Sequence, residues 1–258
     1  MNVLLKVVFC GMLLMLESST VLSGEAETKK LKVLVCGGHP DDPESGAGGV
    51  ISLLAKEGHE LVVVYAVTYR TGRTYFDRPE KEVRREESRA ACEILGARPV
   101  FFEYAAGEFF ADREAIGKFG AFLEGEKPDI VLTHWPVDTH PDHEAMSTLV
   151  WRAYQRQGGW NLYYFEVNSG HQTLAFTPNV FVDIGEVREQ KFQALMRHTS
   201  QKPDTIWADH HEPMQLRRGR ECGVERAEAY HLVEAKEGAA VLPLRVFPSK
   251  TASASAAE

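Results

Sequence analysis

Short apolar runs alternate along this chain with longer stretches of helical period. Lys32 to Gly37 reads as a continuous buried strand, followed by a glycine-rich turn and a helical stretch from about Ala47 to Lys56 that ends at Gly58. Glu60 to Val67 is a second apolar strand, and Pro79 to Leu95 a second helix with acidic residues in its first turn and Gly96 just past its end. The alternation continues with a strand from Pro99 to Tyr104, a helix from Ala111 to Leu123, a strand from Asp129 to His134, a helix from Glu144 to Arg156 and a strand from Leu162 to Val167. Beyond these the pattern predicts a strand from Val180 to Ile184, a helix around Val187 to His198 and a last helix from about Glu225 to Leu232. Parallel strands need crossovers of ten or more residues, so the expected fold is α/β: a doubly wound, mostly parallel, Rossmann-like sheet with helices on both faces. No internal repeat or linker interrupts it.

The two ends read differently. Lys6 precedes the apolar run Val7 to Leu16, and Val21 and Ser23 stand where a signal peptidase reads small residues, so residues 1–23 are expected to be a secretory signal and the mature protein secreted or periplasmic. That run is too short for a bilayer span and no later one is long enough, so no transmembrane segment is expected in the mature chain. Phe9 before Cys10 argues against lipid anchoring there. Residues 24–248 form the single expected domain, and the Ala- and Ser-rich residues 249–258 a disordered tail. A formal charge of -8 excludes partners held by phosphate neutralisation, nucleic acid above all. Removing Cys10 leaves Cys36, Cys92 and Cys222, an odd number in apolar or helical contexts, which reads as buried thiols rather than a disulfide framework.

The chemistry is concentrated after two strands. His39-Pro40-Asp41-Asp42-Pro43-Glu44 follows the first, running into Ser45-Gly46-Ala47-Gly48-Gly49, and His140-Pro141-Asp142-His143 follows the fourth. In a doubly wound sheet those strands are commonly neighbours, and ligands bind in the crevice beyond their carboxyl ends. His39, Asp42 and His143 are then a zinc-type ligand set with an open position, and ferrous iron or another divalent ion suits the same donors. Asp41 is left free to take a proton from an activated water, and His140 to face a developing oxyanion. The glycines do not form a dinucleotide loop, because His-Pro-Asp-Asp-Pro occupies the strand–helix turn; they suit close helix packing.

These motifs resemble the PIG-L/LmbE-like zinc deacetylases over nearly the whole mature chain. Further stretches match: Arg84-Arg85-Glu86-Glu87, Lys191 with His198-x-Ser200-Gln201, and Arg218-Gly219-Arg220. The resemblance implies zinc on His39, Asp42 and His143, Asp41 as general base, His140 as transition-state stabiliser or acid, Arg84 facing the substrate, and an N-acetylated sugar or glycoconjugate as substrate. Two departures stand out. Many members carry a Gly-Glu pair after the second strand where this chain reads Thr68-Tyr69-Arg70-Thr71-Gly72-Arg73, which alters the substrate rim. Asp138 replaces a tyrosine that some members place before the second motif, and is read as a loop cap or a contact to a sugar hydroxyl.

His59, His210 and His211 read as solvated, whereas His134 and His171 are open candidates for substrate contact. Trp135, Trp160, Tyr163 and Tyr164 read as core, with one aromatic available to stack on a pyranose. The expected activity is removal of an N-acetyl group from an N-acetylglucosamine-type sugar. The alternatives are an amidase acting on another N-acyl or thiol conjugate, and an exported carbohydrate-binding protein without catalysis.

Overall fold

The computed structural model describes residues 29–168 and 170–248; the expected signal segment, with Cys10, and the tail lie outside them. Eight strands form one sheet in the order β10-β8-β9-β7-β6-β1-β2-β5. They are β1 (Lys32–Gly37), β2 (Glu60–Tyr69), β5 (Arg98–Ala105), β6 (Ile130–His134), β7 (Asn161–Phe165), β8 (Val180–Asp183), β9 (Ala227–Leu232) and β10 (Val246–Pro248). A two-stranded hairpin, β3 (Thr74–Tyr75) and β4 (Arg78–Pro79), stands apart. The strands from β7 to β5 in this order are parallel, and β9 and β10 run antiparallel to their neighbours.

Strand β1 pairs with β2 on one side and β6 on the other, with Val33 opposite Ile130 and Cys36 opposite Thr133. The chain therefore reverses its direction of winding at β1, and the two sequence motifs emerge side by side. Alternate residues of β1 feed opposite cores. Val33 and Val35 pack with helices α1 (Asp42–Lys56), α2 (Glu80–Leu95) and α5 (Arg188–Leu195). Leu34 and Cys36 pack with α3 (Arg113–Glu126) and α4 (Pro141–Gln157). Cys36, Cys92 and Cys222 are all buried cysteines.

The pattern misjudged two regions. Ala227 to Leu232 is a strand, not a helix: its Ala and Glu favour helix, but Glu228 and Tyr230 point one way while Ala227 and Ala229 join a small cluster on the other face. Pairing on both sides, with β7 and β8, overrides local propensity. The helices α6 (Pro203–Ile206) and α7 (Glu212–Cys222), joined by a π-helical turn at Trp207–His211, have no counterpart among the expected elements. Helices α1 and α4 also begin earlier than expected, at Asp42 and Pro141, because proline is well accommodated in a first turn.

Helix α1 lies close on the sheet. A Cβ on Gly46 would fall 2.3 Å from Phe165, and one on Gly49 2.4 Å from Ile184, so only glycine admits this approach. Glu228 fixes the helix: it accepts from the backbone N–H groups of Gly49 and Val50 at 2.7 and 2.8 Å, and from the Tyr230 hydroxyl at 2.7 Å. Lys191, wholly buried on α5, donates to Glu228 and to the carbonyl of Ser45, each at 2.7 Å. Removing one partner of such a pair strands the other charge. Lys191→Met is expected to cost about 3–5 kcal/mol, read as a lower urea midpoint; an unchanged midpoint would contradict this role for the pair.

Candidate metal centre and active-site cleft

A cleft of about 540 Å³ opens beyond the carboxyl ends of β1 and β6, where His39, Asp41, Asp42, Arg84, His140 and His143 line it together. Two helix N-termini meet there. Asp42 lies in the first turn of α1, and Asp142 in the first turn of α4, where the helix dipole favours anionic side chains.

Asp42 is the meeting point. Its Oδ2 accepts the backbone N–H of His39 at 2.7 Å and lies 3.2 Å from both His39 Nδ1 and His143 Nε2. The two imidazole centroids are 5.3 Å apart. Each ring has a second carboxylate at its far nitrogen: Asp142 Oδ2 is 2.9 Å from His39 Nε2, and Asp138 Oδ1 is 3.1 Å from His143 Nδ1. Carboxylates in that position orient metal-binding histidines and raise their basicity. Burial works against charge on His143, yet Asp42 and Asp138 outweigh it and hold the ring up to about 10. Burial likewise opposes ionisation of Asp42, but His143 and His134 keep it well below the usual carboxylate range. A buried carboxylate among imidazoles favours a shared cation, and nitrogen and oxygen donors of this kind suit a divalent transition metal.

Two overlapping sets bring their ligand atoms within 4.8 Å of one another: His39, His140 and His143, and Asp42, His134 and His143. His134 is already committed. Its Nε2 accepts the Gly38 N–H at 2.9 Å, its ring stacks on His143 at 4.0 Å, and burial, then His143, lower it to about 4. It is fully buried beneath the site and outside the cleft lining, so it braces Gly38 and His143 rather than contacting substrate. His171 is exposed and also outside the lining.

Asp41 caps α1 at φ 102°, a conformation that costs a non-glycine residue energy and recurs where function constrains the backbone. Arg84 holds that turn. It is buried rather than solvated, its Nη2 donates to the Pro40 carbonyl and lies 3.4 Å from Asp41 Oδ1, and its buried Nε has no partner among the described residues. Burial raises Asp41 and Arg84 pulls it back, leaving it at about 6. His140 is the N-cap of α4: its Nδ1 accepts the Asp142 N–H at 3.2 Å, so its neutral ring carries the proton on Nε2. Asp138 is not at the sugar rim. It is buried, accepts from the His140 N–H at 2.9 Å and the Thr173 hydroxyl at 3.0 Å, and so combines the expected cap with the contact to His143.

Some site residues were not legible from spacing. His210 and His211, read as solvated, line the cleft because the π-helical turn carries them there. His211 is buried, with Nε2 2.9 Å from Ser45 Oγ. Glu80 is a wall residue at the start of α2. Its sequence signal, an acidic residue in a first turn, is shared by most helices.

Residues 34–154 match the family model described as PIG-L, GlcNAc-PI de-N-acetylase. The diacetylchitobiose deacetylase of Thermococcus kodakarensis is 32% identical over 192 residues, 68% of this chain and 72% of that protein. The 4-oxalmesaconate hydratase of Pseudomonas putida is 28% identical over 214 residues, 74% of this chain and 81% of that protein. Among solved structures, the N,N'-diacetylchitobiose deacetylase of Pyrococcus horikoshii superposes with a TM-score of 0.69 at 25% identity, covering 78% of this chain and 83% of that one. The chain belongs to the PIG-L/LmbE-like family of metal-dependent N-deacetylases, hydrolases that act on an amide C–N bond.

His211 supplies a pH prediction. Burial, then Lys191 and His210, lower it to about 3, so the unfolded chain binds a proton below about 6.5 that the folded chain refuses until about 3. Its neutral burial is therefore harmless above pH 6.5 and costs stability as pH falls from there, by at most about 1.4 kcal/mol per unit. Urea titrations at pH 7.5 and 4.5 should show a smaller acid loss for His211→Gln than for the unchanged protein; equal losses would contradict it.

Proposed function

We propose that this protein is a zinc-dependent hydrolase that removes the N-acetyl group from an N-acetylglucosamine-type amino sugar or its conjugate. The observation that carries the reading is one carboxylate oxygen, Asp42 Oδ2, 3.2 Å from two imidazoles of separate motifs, with Asp41 beside it facing the cleft. His39, Asp42 and His143 would hold the ion, and the chemistry it supplies when bound is polarisation of the acetamide carbonyl and acidification of water.

The remaining work falls to side chains. Asp41, kept in place by Arg84, takes a proton from water as its oxygen bonds to the acetyl carbon. His140 donates its Nε2 proton in a hydrogen bond to the oxyanion. The C–N bond then breaks, the proton held by Asp41 passes to the departing nitrogen, and acetate and a free amine result. Arg84, which lines the cleft beside Asp41, is the residue set to face the sugar. The deacetylase relatives support this substrate class, and the Pseudomonas putida hydratase marks the other chemistry within reach of such a site.

The test is acetate release from N-acetylglucosamine and its oligosaccharides. Turnover is expected to vanish with a chelator and return with zinc. Asp41→Asn is expected to lower kcat by about 10²–10⁴ with metal content intact, whereas His143→Ala is expected to lose most of the metal by elemental analysis. Normal turnover of the first, or full metal content of the second, would overturn these roles. We further propose that the enzyme is exported by residues 1–23. N-terminal sequencing of the exported chain is expected to begin at Gly24; an uncleaved chain retained in the cytosol would contradict export.

A further inference from the structure

The rim of the cleft beyond β2 carries a charge arrangement of its own. After β2 the chain makes the β3–β4 hairpin and returns to Glu80, the first residue of α2. The Glu80 side chain is 1% exposed. Its Oε2 accepts the backbone N–H of Arg70 at 2.7 Å, its Oε1 accepts from Arg70 Nη2 at 3.1 Å, and Arg73 Nε stands 4.0 Å from the same oxygen. Two guanidinium groups therefore share one carboxylate, which leaves one positive charge in excess.

Both arginines are also held by Tyr75. Arg70 Nη2 donates to its hydroxyl at 3.4 Å, and the Arg73 guanidinium lies 5.0 Å from the centre of its ring. Among the described residues only Nη2 of the Arg70 side chain is engaged, so Nε and Nη1 remain free donors on a group whose position is already fixed. The two side chains are 45% and 43% exposed, and Arg70 and Glu80 line the same cleft as Asp41 and His140. A guanidinium fixed in advance loses little entropy on meeting an oxyanion, to which Nε and Nη1 can each give a charge-assisted hydrogen bond.

We propose that Arg70 and Arg73 form an anion subsite, selecting amino-sugar substrates that carry a carboxylate or phosphate away from the acetamide. The inference rests on the N-deacetylase reading for its catalytic half and on the rim alone for its binding half. Three probes separate the halves: methyl N-acetylglucosaminide, N-acetylglucosamine 1-phosphate, and the N-acetylglucosaminide of glycolic acid. Each is measured for kcat/KM with the zinc-loaded enzyme and for binding by calorimetry to the Asp41→Asn protein.

At least one charged probe is expected to exceed the neutral one by about tenfold or more in both measurements, the size one charge-assisted pair provides. Which one leads distinguishes carboxylate from phosphate. Arg70→Gln alone would strand the buried Glu80, so the informative variants are Arg73→Gln and the double change Arg70→Gln with Glu80→Gln, in which the preference is expected to collapse toward unity. Equal binding of charged and neutral probes, or a preference that survives both variants, overturns the subsite. Preferential binding of a charged probe without acetate release from any of the three upholds the subsite and overturns the deacetylase reading.

Discussion

The site depends on the Asp42 carboxylate, a buried anion that must satisfy the turn after β1 and two imidazoles at once. It accepts the His39 N–H and stands within 3.2 Å of ring nitrogens on His39 and His143. Left to itself, such a charge would cost several kcal/mol to bury. The surroundings are arranged to supply compensating positive charge: imidazoles with carboxylates behind them, the N-terminus of α1, and a geometry ready for a cation. Much of the fold keeps this arrangement in place. Glu228 and Lys191 clamp α1 to the sheet, the glycines of α1 let it lie close, and His134 braces Gly38 and His143 from below.

Around that carboxylate the two motifs divide the labour. Asp42 and His143 are drawn inward, while Asp41 is turned out by a left-handed backbone that Arg84 secures from another helix. His140 caps α4 with Nδ1 and so presents Nε2–H. A side chain used structurally through one atom is thereby set chemically through the other. The same economy appears in Asp138, which closes the loop before α4 and faces the His143 ring.

The parallel half of the fold and the main site were legible because both motifs directly follow apolar strands, and the alternation of strands with helices makes β1 and β6 neighbours. Gly46 and Gly49 were readable as packing positions for the same reason. The second half was not. Ala227 to Leu232 carries helix-favouring residues, and only its antiparallel partners β7 and β8, distant in sequence, make it a strand. His211 was taken for a solvated residue because nothing in its neighbourhood shows that a π-helical turn will bury it against Ser45, 166 positions away. Asp138 was half understood, since a cap can be inferred from local sequence but a contact to His143 needs the loop's tertiary path. Glu80 was invisible because its partners, Arg70 and Arg73, reach it through a hairpin that no apolar period announces.

The central claim is that His39, Asp42 and His143 hold one zinc ion. Its most direct test is a crystal of the zinc-loaded protein measured on both sides of the zinc absorption edge. The account predicts a single anomalous peak bonded to those three residues at about 2.0–2.2 Å, with a further position open to the cleft. A peak bonded to His134, or no peak between the two motifs, would contradict it.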